Sequence, residues 1–219
     1  MRSHAFKDLL TPAEHAAFRE LKTPIKIQDY LDSIPTNFEL DGETYMSPRR
    51  TLRAQTAHCF EGALLAAAAL SYHGRKAILM DFRTIPEDED HVVTLFKENG
   101  YWGAISKTSH PILRYRDAVY KTPRELALSY FHEYVMWEDG RKSLREYSKP
   151  IDLAKYELSS WLVAEDDLHW LVQDVDDAPH LAAAPKALLR KLRPASKFEL
   201  DAMRVSDRDV VAKPRLLKK

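Results

Sequence analysis

Cysteine is nearly missing from this chain of 219 residues, which has only one, Cys59. A lone thiol cannot close an intrachain disulfide. That excludes a disulfide-stapled scaffold and points to a reducing, cytoplasmic setting. Glycine is also scarce, with six residues, and none lies in a loop that could cradle a phosphate. Long apolar runs are missing too. The longest, 63–70, is too short to span a bilayer, so no membrane partner is expected. The N-terminal Met1-Arg2-Ser3-His4-Ala5-Phe6-Lys7-Asp8 lacks the apolar stretch of a secretory signal. Nor does charge of one sign dominate. Lys plus Arg and Asp plus Glu number 33 each, so no global field favours nucleic acid.

Metal signals are missing as well. His132-Glu133 has no second histidine four residues after His132, so the zincin motif is not formed, and no EF-hand loop occurs. His58 and Cys59 are adjacent, and neighbours on a helix project about 100° apart, a poor arrangement for ligating one ion. Neither a metal nor a cofactor is expected.

Hydrophobic residues make up 45% and charged residues 30%, ordinary for a globular chain. Locally the charge is uneven. Glu165, Asp166, Asp167, Asp174, Asp176 and Asp177 share a segment without Lys or Arg, and from Lys186 onward eleven Lys or Arg face four acids. Such runs are usually solvated faces, and the tail interleaves no aromatics as a single-strand binder would.

Thr11-Pro12-Ala13-Glu14 is a capping box with Pro at the first helical position, predicting a helix over 12–22. Thr23-Pro24 opens another to residue 33. Residues 36–51 read as an extended loop around Asn37, Gly42 and Pro48. The Ala-rich run 58–73, followed by Gly74, predicts a helix buried on all sides. A buried strand over 76–82 and an acidic loop over 86–90 follow. Asn99-Gly100 between 91–97 and 101–106 predicts a hairpin with a type I′ turn. Thr122-Pro123-Arg124-Glu125 opens a helix to residue 137. Residues 1–137 then form a core unit, 138–150 a linker, and 151–219 a mostly helical extension with a fraying basic tail. Helix is expected in the second half of 152–174 and over 185–192.

Cys59 stands where the buried helix begins. There the macrodipole and free amides favour a thiolate. His91 opens a strand, and a Cys on a helix start with a His on a strand is the skeleton of a thiol nucleophile and its base. Gln55, four residues upstream, is a candidate side-chain donor to an oxyanion, beside the Cys59 amide. Trp102 is a candidate wall of an acyl pocket.

Four segments carry a family resemblance: Ala57-His58-Cys59-Phe60-Glu61-Gly62-Ala63, Gly74-Arg75-Lys76-Ala77, Asp90-His91-Val92-Val93 and Asn99-Gly100-Tyr101-Trp102-Gly103. In this order the chain resembles the transglutaminase-like superfamily, in its bacterial branch of cysteine acyltransferases and peptidases. The resemblance covers 25–134, about half of the chain. It implies an α+β fold, with the Cys helix packed on a small antiparallel sheet of the papain/transglutaminase kind. It further implies Cys59 as nucleophile and His91 as its base, acting on a peptide or protein substrate. The family's orienting Asp falls here on Ser106, which can hold a histidine tautomer but cannot offset its charge. Asp117, in the loop after the hairpin, is the other candidate. Asp90 should point to the face opposite His91. The alternative expectation is a catalytically inactive domain that binds a peptide or protein partner in the same groove.

Overall fold

A computed structural model describes residue 6, residues 8–40 and residues 42–204. The fraying expected of the tail beyond 206 lies outside the described residues. The fold mixes helices with an antiparallel sheet, as the sequence implies.

Helices α1 (Pro12–Glu20), α2 (Pro24–Ser33) and α3 (Pro48–Ala54) each begin with Pro behind a capping hydroxyl, from Thr11, Thr23 and Ser47. The third lies in the stretch expected to be loop. Ser47-Pro48 carries the same start signal as Thr11-Pro12, and Pro48 is an initiator there, not a breaker. Helix α4 (Cys59–Tyr72) is buried at every position from Phe60 to Ser71. Its small side chains let neighbours approach closely. Burying each of Leu64 and Leu65 stabilises the fold by about 2 kcal/mol relative to exposure. A Schellman motif closes it: Gly74 sits at φ 77° and the Arg75 amide reaches the Leu70 carbonyl at 2.9 Å.

The strands are β1 (Ile78–Arg83), β2 (His91–Glu98), β3 (Tyr101–Ile105), β4 (Arg116–Tyr120), β5 (Glu146–Ser148), β6 (Ile151–Asp152) and β7 (His180–Ala182). They form one sheet in the order β4-β3-β2-β1-β5-β7, with β6 also pairing β1. The expected turn is present. Glu98 pairs with Tyr101, and Asn99 and Gly100 sit at φ 49° and 88°. One face of the sheet (Leu79, Val92, Phe96, Ile105) packs on α4. The other (Met80, Phe82, Val93, Leu95) packs on α5 (Pro123–Ser129) and the turn after it.

Two expectations need correction. The helix from Pro123 stops at Ser129, not at residue 137. Tyr130, Phe131, Tyr134, Val135 and Met136 are all buried, and one straight helix would carry Met136 off that face. The stretch 138–150 is not a linker, because its β5 joins the central β1. The extension after it then returns β7 to the same sheet. It also carries the short 3₁₀ turn Leu153–Lys155 and helices α6 (Leu158–Leu162), α7 (His169–Asp176), α8 (Lys186–Leu189) and α9 (Lys197–Met203). Its acidic segment is mostly exposed, as expected of a solvated face, and two of its acids also make ion pairs. Asp167 pairs with Arg50 and Glu165 with Arg53, both on α3.

Candidate functional site

Helix α4 packs with its N-terminus toward the start of β2, since the Thr94 hydroxyl bonds the Ala63 carbonyl at 2.5 Å. Cys59 therefore projects where His91 begins the strand. The two share a groove of about 540 Å³ with Lys107, Leu113, Tyr134 and Trp137 among its walls. The acidic loop forms its lip, with Glu87, Asp88, Glu89 and Asp90 all lining it.

The thiol is half-buried and lies within hydrogen-bonding reach of two imidazoles, His58 and His91. Burial pushes the thiol up. The hydrogen bonds and charges of the two rings outweigh it and bring it down to about 6. A thiol at that value is mostly thiolate at neutral pH.

The rings have different duties. His58 is the N-cap of α4, and its Nε2 meets the Thr44 carbonyl at 2.8 Å. Burial pushes its imidazole down, but the bond to Cys59, the thiolate charge and the Glu61 carboxylate raise it to about 9. Its Nδ1 also lies 3.3 Å from the Phe60 amide, a contact only a neutral ring accepts. In the charged ring, which the raised value favours at neutral pH, that contact is given up and the imidazolium hydrogen-bonds the sulfur. His58 thus acts as a fixed cation beside the thiolate. Glu61 is fully buried behind it and accepts from the Met46 and His58 amides, at 3.1 and 3.0 Å, and from the Thr44 hydroxyl at 2.9 Å.

His91 is buried, and its Nε2 lies 2.8 Å from Ser106 Oγ. The Ser106 hydroxyl donates its own proton to the Leu113 carbonyl at 2.5 Å. Oxygen must then accept from His91, which fixes Nε2 as the protonated nitrogen and leaves Nδ1 for the sulfur. Two supports hold Ser106. Gln28 on α2 bonds its backbone twice, Nε2 to the carbonyl at 2.8 Å and Oε1 from the amide at 3.0 Å. Leu113 sits in the left-handed region at φ 57°, which costs a branched residue about 1 kcal/mol, and its amide is held by Glu133 at 2.6 Å. Next to Ser106, Lys107 is buried. Its ammonium donates to the Leu31 and Ile34 carbonyls at the negative end of α2, at 3.0 and 2.8 Å.

Cys59, His91 and Ser106 are therefore brought together. Three other candidates are not. Asp117 is exposed on β4, in a strand and not a loop, outside the groove lining. Gln55 is exposed and turned away, its amide donating to Tyr30 Oη and the Leu52 carbonyl. It ends α3 in the left-handed conformation, which aims it at a different depression. Trp102 lies under the Lys97 ammonium, 5.2 Å from its centroid, and packs on the second core face. Trp137 lines the groove instead. Asp90 also lines the groove, and its carboxylate accepts from the Thr84 amide at 2.7 Å. The sequence reading missed His58, Gln28, Glu61 and Tyr134. Only His58-Cys59-Phe60-Glu61 carried a signal, as a cap residue with Glu three positions on.

Among the described residues no group of three or more His, Cys, Asp or Glu is placed to hold a metal, and no helix is long and apolar enough to cross a membrane. No known family model matches the chain, and no curated protein matches it.

Proposed function

We propose that the chain is a cysteine hydrolase or acyltransferase of transglutaminase-like type, acting on amide or peptide bonds. Cys59 is the nucleophile. Sulfur attacks the acyl carbon and the carbonyl π pair moves onto oxygen. His91 Nδ1 takes up the thiol proton, the tetrahedral adduct collapses, the C–N bond breaks, and the same Nδ1 proton passes to the leaving amine. Water or a second amine then attacks the thioester, with His91 taking a proton from it. Ser106 positions His91 but supplies no charge, and His58 offsets the thiolate. The Cys59 amide, the first of its helix, has no intrahelical partner and can donate to the oxyanion.

The observation that carries this reading is a single thiol, held down to about 6 between two imidazoles, on the wall of an open groove. The test offers a peptide thioester with hydroxylamine as acceptor and follows hydroxamate formation. Wild type is expected to turn over, with Cys59→Ala inactive and His91→Ala slower by about a hundredfold or more. Equal rates in all three proteins contradict the reading. No turnover by wild type, with the peptide still bound, supports a silent binding module.

A further inference from the structure

Among the described residues, three buried side-chain polar atoms have no hydrogen-bond partner: Tyr134 Oη, Ser143 Oγ and Trp161 Nε1. A buried orphan of this kind costs about 1–3 kcal/mol and is rare enough to need a reason. Ser143 lies outside the groove, and Trp161 borders a small separate cavity. Tyr134 lines the groove together with Cys59 and His91, yet is only 3% exposed.

Its ring packs against Phe82, 6.1 Å between centroids. Phe82 is the cross-strand partner of His91, so the ring stands on the face of the sheet that His91 occupies. We propose that the Tyr134 hydroxyl is a second oxyanion donor, hydrogen-bonding the acyl oxygen opposite the Cys59 amide. The inference rests on the acyl-transfer reading. As sulfur bonds the acyl carbon, negative charge arrives on that oxygen and the phenol O–H donates to it. The phenol keeps its proton throughout, and the bond is released when the C–N bond breaks. Burial, with the charges of Asp81 and Cys59, raises Tyr134 well above the ordinary phenol value, so it stays a neutral donor. A donor that bonds nothing in the free protein and charge in the transition state provides differential binding.

Tyr134→Phe removes that one oxygen. Two reactions of Cys59 then separate the possibilities. Alkylation by iodoacetamide forms no oxyanion; acylation by p-nitrophenyl acetate does. Y134F is expected to alkylate within about twofold of wild type and to acylate at least tenfold more slowly, with Cys59→Ala as the blank. Its melting temperature should be equal or higher, because no native bond is lost. Unchanged acylation with fast alkylation rejects the Tyr134 role alone. Parallel loss of both rates also rejects it, since Tyr134 would then act on the thiol itself. A clearly lower melting temperature means the hydroxyl already has a partner, and overturns it too. Wild-type alkylation no faster than that of an ordinary thiol removes the acyl-transfer reading, and this inference with it.

Discussion

His58 is the residue whose role is least visible in the sequence. It precedes Cys59 at the start of the helix and lies within hydrogen-bonding reach of its sulfur. The signs of the two shifts agree with an ion pair. The thiol is lowered, so thiolate stabilisation is present above the ordinary thiol value and is lost as pH falls through about 6. The imidazole is raised, so its share is full below about 6.5 and is lost as pH rises through about 9. The pair is therefore strongest between these two values. His58→Asn keeps a good N-cap oxygen and removes the cation. Its iodoacetamide rate profile should shift upward by about one pH unit or more, measured from pH 5 to 9. An unmoved profile assigns the whole effect to His91.

At the scale of elements, the local rules worked where chain neighbours decide the outcome. The Thr11 capping box, the Asn99-Gly100 turn and the Gly74 helix stop are set by backbone geometry within a few residues. Cys59 and His91 were legible for the same reason, each standing at an element's start. Gln28, Leu113 and Tyr134 were not, because their roles come from contacts between distant segments. Gln28 meets Ser106 across 78 positions, with no periodicity to mark the pair. β5 and β7, of three residues each, are too short to carry an alternating pattern. What secures them is a buried tie: His180 donates Nε2 to Asp81 Oδ2 at 2.9 Å and Nδ1 to the Ala178 carbonyl at 2.6 Å. With both nitrogens donating, the ring is an imidazolium. Asp81 raises it, while burial raises Asp81 itself. His180→Ala leaves that carboxylate uncompensated and should cost about 3 kcal/mol at pH 6 by denaturant unfolding. Because His180 is raised, its contribution is complete below about 6.5, so the deficit should narrow as pH climbs past its titration. A constant deficit across that range means the loss is packing alone.

For the whole molecule, the site depends on long-range closure. The N-terminal α2 holds Ser106, the central helix presents Cys59, and the turn after α5 brings Tyr134 to the groove. The C-terminal segment closes the far edge of the sheet through β7 and pairs its acids with α3. The proposed chemistry nevertheless depends on the ionisation of one sulfur. Since Cys59 is the only cysteine, thiolate absorbance near 240 nm reports it without ambiguity once the Cys59→Ala curve is subtracted. Titrated from pH 4 to 10, wild type should give a midpoint of about 6. A midpoint at the ordinary thiol value, about 8.5, would contradict the account.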